Sequence, residues 1–180
     1  MKTESTVKYV LRLTLTLLLI TGVVAAALAG VNAITKDAIA ANQAKKTQDA
    51  LAVVLPNGGN LEQTEIVGEA GIVSEVYTDG TNYAVKVTPG GFDGAITMMV
   101  GIADGKVTGI SVISHTETPG LGAVAAAQNA KGEAFRSQFV GQTGTLEVGD
   151  QIDGMSGATI TSNAVVTGVN AALAYVAGLG

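Results

Sequence analysis

The sequence predicts an α+β domain, an antiparallel sheet with helices packed on it, preceded by one N-terminal transmembrane helix. Three observations carry this expectation. An uncharged run of 23 residues lies near the N-terminus. Four β-rich segments follow one another from residue 72 to residue 114, each bounded by Gly, Asp or Asn. From residue 123 onward helical patterns take over, and strands followed by helices suggest helices on one face of the sheet.

The uncharged run is Leu13–Thr35, after a basic flank at residues 1–12 that carries Lys2, Lys8 and Arg12. As a helix it would be about 34 Å long at ~1.5 Å per residue, enough to cross a hydrocarbon core of about 30 Å. Thr14, Thr16 and Thr21 can return their hydroxyls to the preceding turn. Gly22, Ala26 and Gly30 recur every four residues, which is either a face for another membrane helix or the chance spacing of an Ala/Gly-rich segment. A cleaved leader ending at Ala27-Leu28-Ala29 is the rival reading. The apolar stretch runs past that point to Ile34, which favours an uncleaved anchor in the cell (inner/cytoplasmic) membrane. Lys2, Lys8 and Arg12 precede the run and Lys36, Lys45 and Lys46 follow it, so a count of flanking cations gives a tie on orientation. A short basic N-terminus before a long domain leans toward a domain on the extracytoplasmic side.

Residues 36–56 form a linking segment, an Ala-rich helix that ends before Pro56, and residues 57–180 the domain proper. Asn57-Gly58-Gly59-Asn60 breaks the chain. Ile72–Tyr77 and Tyr83–Thr88 pair around Asp79-Gly80-Thr81-Asn82, with Tyr83, Val85 and Val87 on one face of the second strand. Residues 89–94 are a second turn. Ala95–Ala103 and Lys106–Ser114 form another hairpin about Asp104-Gly105. His115–Gly122 is a loop, Ala123–Val140 a helix interrupted only by Gly132, and Thr145–Val148 a short strand. Phe135 and Phe139, four apart, would share the helix's buried face. A final helix runs from about Ser162 to Val176.

Charge and composition exclude several chemistries. Residues 1–46 hold six basic and two acidic side chains, whereas residues 47–180 hold four against thirteen, giving the overall net charge of −5. An acidic domain repels a phosphate backbone, so nucleic acid is not an expected partner. With no cysteine and one histidine, thiolate-held clusters, thiol catalysis and multi-histidine metal sites fall away. No catalytic residue and no metal ligand is expected. Electron transfer here would need an organic cofactor.

The densest chemical signal is Asp153-Gly154-Met155-Ser156-Gly157-Ala158-Thr159-Ile160-Thr161-Ser162-Asn163. Gly157 and Ala158 leave room for a bulky group. Thr161, Ser162 and Asn163 are helix-capping types, and the hydroxyls of Ser156, Thr159 and Thr161 add donors beside the positive end of a helix. An anion site fits these residues; so does a Gly-containing turn that runs into a capped helix.

The stretch from Asp153 to Thr159 resembles the flavinylation motif of the FMN-binding domain found in the G subunit of Rnf complexes and in the C subunit of the sodium-pumping NADH:quinone reductase. Two further segments are similar to that family. They are Gly91-Phe92-Asp93-Gly94-Ala95-Ile96 with Val100-Gly101-Ile102, and the Glu117-Thr118-Pro119-Gly120-Leu121-Gly122 loop, which favours the Rnf subunit. The resemblance implies FMN bound covalently through its phosphate to Thr159, with Asp153 read by a flavin transferase. It implies cofactor contacts from Met155, Ser156, Gly157, Ala158, Thr161, Glu117, Thr118, Gly120 and Leu121. It further implies an electron-carrier subunit of an ion-translocating (Na⁺ or H⁺) ferredoxin:NAD⁺ oxidoreductase, assembled with other membrane and peripheral subunits. Leu121 reads equally as a flavin contact or a core leucine. His115 reads as a solvated or structurally bonded group, Met98 and Met99 as packing residues, and Lys131 and Arg136 as a solvated helix face. Other readings are an anchored module that holds flavin reversibly and a surface adhesion-like domain.

Overall fold

The computed structural model describes residues 3–56, 59–68 and 71–179. Lys2, the Asn57-Gly58 part of the expected chain break and Gly180 lie outside the described residues. A single helix, α1 (Thr3–Val54), contains both the uncharged run and the linking segment. The chain divides into two compact units within it, residues 1–45 and 46–180. In the first unit, the apolar side chains from Val7 to Ile34 are exposed along the helix. Thr16 and Thr21 return their hydroxyls to the carbonyls of Arg12 and Leu17 at 2.8 and 2.9 Å, the back-bonding that lets threonine lie in an apolar helix.

The second unit is a five-stranded antiparallel sheet in sequential order: β1 (Glu62–Thr64), β2 (Val73–Thr78), β3 (Tyr83–Val87), β4 (Thr97–Ala103) and β5 (Lys106–Ser114). The expected hairpins are all present, and β4 starts two residues later than the sequence suggests. Strand β1 was not anticipated. Its three residues are exposed and carry no apolar alternation, so only pairing with Tyr77 and its neighbours reveals it. The β2–β3 turn is held by Asp79, whose Oδ1 accepts from the Thr81 and Asn82 N–H groups at 3.0 and 2.8 Å. Those bonds, with further ones from the Asn82 side chain and Gly59, hold its carboxyl well below the usual aspartate value.

The sheet is covered on both faces, which corrects the expectation of helices on one face only. Tyr83, Val85, Val87, Met98, Val100 and Ile102 face the larger core, shared with the C-terminal helix α3 (Thr159–Ala177). Ala84 and Met99, on the opposite face, pack against Ala50, Val54 and Leu55 at the end of α1. Close approach there is a matter of glycines: a Cβ on Gly101 would lie 2.5 Å from the Val54 carbonyl oxygen. Thr108 donates its hydroxyl to that oxygen at 2.5 Å, satisfying one of the carbonyls that a helix end leaves over. On the main-core side, Gly168 lets α3 lie flat on the sheet, with Val87, Pro89 and Met98 all 3.1 Å from where a Cβ would be.

The segment expected as one helix over Ala123–Val140 is two pieces. A 3₁₀ turn spans Gly122–Ala126, and α2 runs only over Ala130–Ser137. Ala127 is extended between them, and Asn129 caps α2 by accepting from the Lys131 and Gly132 N–H groups. Gly132 is what permits the corner, because a Cβ there would sit 2.0 Å from the Ala127 carbonyl oxygen. Arg136 is not a solvated residue: its Nη1 donates to the carbonyls of Ala125 and Ala127, both at 2.9 Å, and clasps the two pieces together. Phe135 and Phe139 do share a buried face, edge to face at 5.5 Å. Thr145–Val148 is not a strand. The Asn170 side chain on α3 takes both backbone groups of Leu146, leaving only a bridge between Val148 and Ile152.

Candidate functional site

Glu117 organises the site. It is 5 % exposed, and its two oxygens are shared between two elements. Oε1 accepts from the backbone N–H groups of Phe92 (2.8 Å) and Asp93 (3.4 Å), and Oε2 from the Thr161 hydroxyl on α3 (2.5 Å). The carboxylate thus joins the turn before β4 to the first turn of α3. Glycines make its socket: a Cβ on Gly91 would fall 2.1 Å from Oε1, and one on Gly122 would fall 2.4 Å from Oε2. Thr116 reinforces the same joint through a hydroxyl bond to the Asp93 carbonyl.

The start of α3 departs from the expected position by three residues. Thr159, not Ser162, is its first residue, and the cap position is held by Ala158, which offers no side-chain hydrogen bond. Ser162, within the helix, turns back on the preceding loop. It accepts from the Met155 N–H and donates to the Ala158 carbonyl, both at 2.9 Å. Ser162, a capping-type residue, therefore orders the Asp153–Ala158 loop rather than the helix end. The first-turn N–H groups of α3 stay without a side-chain cap. Thr161 was expected as a free donor; its hydroxyl is instead committed to Glu117. At Gly157 the backbone takes φ 74°, and Leu121 Cδ2 lies 3.2 Å from where a Cβ would be.

Two cavities meet at Leu121. The first, about 340 Å³, is bounded by Phe92, Glu117, Thr118, Gly122 and the stretch from Gly157 to Thr161. The second, about 590 Å³, takes in Gly120, Lys131, Gln138, Asp153, Met155 and Ser156. Of the residues singled out in the sequence, Thr159, Thr161, Gly157, Ala158, Glu117 and Thr118 line the first, while Asp153, Met155, Ser156 and Gly120 line the second. Leu121 belongs to both. Lys131, taken as part of a solvated face, is the cation beside the second cavity. His115 lines neither; it is half-buried, and its Nδ1 is enclosed with no hydrogen-bond partner among the described residues.

Sequence reasoning missed Phe92 and Ile160, whereas Gly122 falls in the loop it set beside the cofactor. Phe92 is 67 %, Ile160 53 % and Leu121 44 % exposed, and all three line the first cavity. A large apolar side chain left this open beside a cleft is a better signal of a ligand than a buried one. Phe92 was legible as the one aromatic inside a glycine-rich turn, and Ile160 as the apolar neighbour of a threonine at a helix start. The arrangement offers an apolar rim for a flat ring system and, at α3, uncapped N–H groups for an anion. Thr159, an exposed residue, is both the first residue of α3 and part of the cavity wall. These features match the two ends of FMN, a planar apolar ring and a phosphate, so the residues present fit that cofactor.

The chain carries a sheet domain with an apolar-rimmed cleft and an N-terminal helix long and apolar enough to span a membrane. Residues 91–174 match the FMN-binding domain family, and residues 1–54 match the RnfG N-terminal region. The chain is 35 % identical to the G subunit of the Na⁺-translocating ferredoxin:NAD⁺ oxidoreductase complex of Acetobacterium woodii, over 91 % of this chain and 89 % of that one. It is 31 % identical to the G subunit of the ion-translocating oxidoreductase complex of Methanosarcina acetivorans, over 94 % and 95 %. The G subunit of a proton-translocating ferredoxin:NAD⁺ oxidoreductase complex of Clostridium ljungdahlii is 42 % identical over 52 % of each chain. The chain belongs to the family of Rnf G subunits, as the motifs in its sequence indicated. α3 is also apolar enough to pass as a span, but half of its apolar stretch is buried in the core, which makes it a core helix.

Proposed function

We propose that this chain is an electron-relay subunit of a membrane-bound ion-translocating ferredoxin:NAD⁺ oxidoreductase, with FMN joined through its phosphate to the Thr159 hydroxyl. One observation carries the proposal: Thr159 is the exposed first residue of an uncapped helix and lies on the wall of an apolar-rimmed cleft. The first-turn N–H groups and the helix dipole favour a phosphate ester at that position. Phe92, Leu121 and Ile160 supply apolar surface for the ring. The flavin supplies the redox chemistry when bound; the protein holds it and shields one side of it from water. An ester bond keeps the carrier loaded through every change of redox state.

A flavin transferase is the maturation partner, with Asp153 as its recognition residue on the ordered loop before Thr159. The remaining partners are the other membrane and peripheral subunits of the complex. The domain sits on the extracytoplasmic side of the cell membrane, anchored by α1. The Na⁺- and H⁺-translocating names of the two ferredoxin:NAD⁺ relatives leave either ion compatible with this chain.

The test is to co-express the full chain with a flavin transferase, denature it and look for flavin fluorescence on the protein band. Wild type should fluoresce, and Thr159→Ala should not. A dark wild-type band, or fluorescence that survives Thr159→Ala, refutes the tether. Flavin that appears in the native protein but leaves with denaturant points to reversible binding instead.

A further inference from the structure

We propose that the Glu117 carboxylate sets the reduction potential of the flavin, as a buried negative charge fixed beside the cleft by Phe92, Asp93 and Thr161. This rests on the flavin reading above and adds to it a residue that tunes the cofactor rather than binding it. In the sequence Glu117 reads as a cofactor contact. In the structure it accepts three bonds from the protein's own donors and, as an acceptor-only group, has no hydrogen to offer a ligand phosphate.

The arrangement is more than a latch. Burying a carboxylate is costly unless it is paired, and Glu117 forms no ion pair among the described residues. A neutral glutamine could make the same joint. Its carbonyl oxygen would accept from Phe92 and Asp93, and its amide would donate to Thr161, whose hydroxyl can also accept. The glycines at 91 and 122 serve the size of the group and would serve an amide equally. What a carboxylate alone provides is its charge. Among the described residues no Lys or Arg lines the first cavity, and the charge is offset there by the three donors and the start of α3. In a cleft partly closed to water, a fixed negative charge makes each added electron less favourable and lowers the potential of a flavin held against it.

Two substitutions separate the charge of Glu117 from its hydrogen bonds. Glu117→Gln removes the charge while keeping the joint, and should move the flavin's midpoint to a more positive value. Thr161→Ser keeps both the carboxylate and the hydroxyl that donates to it, and should leave the midpoint at the wild-type value. The full chain is co-expressed with the flavin transferase. Loading is read on the denatured band and the midpoint by redox titration of the flavin absorbance. A dark wild-type band would sink the tether, independently of the tuning. With a loaded wild type, an unmoved or more negative midpoint in loaded Glu117→Gln, or a Thr161→Ser midpoint that moves as far as that of Glu117→Gln, overturns the inference. If neither variant accepts flavin, Glu117 serves assembly of the site and not its potential, which overturns it as well. A loss of melting temperature without a change in midpoint is the result expected of a purely structural residue.

Discussion

Gly122→Ala tests whether the joint at Glu117 holds the site together. The new methyl would lie 2.4 Å from Glu117 Oε2 and 2.5 Å from Thr161 Oγ1, both part of one hydrogen bond in the interior. Neither group can swing away freely, because Oε1 is tied to Phe92 and Thr161 is within α3. Overpacking costs about 1–3 kcal/mol and loss of a charge-assisted hydrogen bond about 1.5–3. The two overlap, so the net cost is about 2–4 kcal/mol. For a domain of this size each kcal/mol lowers the melting temperature by roughly 3–5 °C, so a fall of about 6–20 °C is expected. Gly120, two residues earlier in the same loop, is the control. It has φ 78° and nothing within 4 Å of a would-be Cβ, so alanine there meets only backbone strain. That strain costs about 1 kcal/mol, partly offset by the lower entropy of the unfolded chain. Both variants are melted as full chains in detergent, followed by circular dichroism. If Gly122→Ala melts within about 2 °C of Gly120→Ala, the Glu117 joint is not the constraint described.

Two further outcomes are expected. Ser162→Ala leaves the Met155 N–H without its partner, costing about 1–2 kcal/mol, and should reduce flavin loading by loosening the Asp153–Ala158 loop; unchanged loading and melting temperature would refute this. Asp79 is held below its ordinary 3.8 by the donors of its turn, so its contribution is present above that pH and is lost as pH falls below it. The melting temperature of wild type should therefore decline more steeply on acidification below about pH 4 than that of Asp79→Asn, and parallel profiles would refute the reading.

Periodicity and turn chemistry made much of the fold legible. The alternation in Tyr83–Val87 identifies a strand with two distinct faces, and Asp104-Gly105 identifies the hairpin that follows, because such signals act between neighbours in the chain. The readings that failed depended on partners remote in sequence. Ala123–Val140 has a helical composition, yet Asn129 caps a separate α2, and Arg136 binds the carbonyls of Ala125 and Ala127, eleven and nine residues back. Leu146 looks like part of a strand, but Asn170, 24 residues away, takes its backbone bonds. Thr161 and Ser162 look like caps and are committed elsewhere for the same reason.

The site divides along the same line. The run from Asp153 to Thr159 and the Glu117–Gly122 loop are visible as motifs, because each needs its small or hydroxyl-bearing residues at fixed spacing along the backbone. The chain alone therefore determined the apolar anchor, the antiparallel sheet and the segments from which a cofactor site would be built. Tertiary structure decided which of those residues face a cavity and which are consumed in holding it open. It set the first turn of α3 beside Phe92 and placed one carboxylate between them. Hydrogen bonds and close packing between distant segments depend on three-dimensional separation, and the linear order of residues carries no direct record of that.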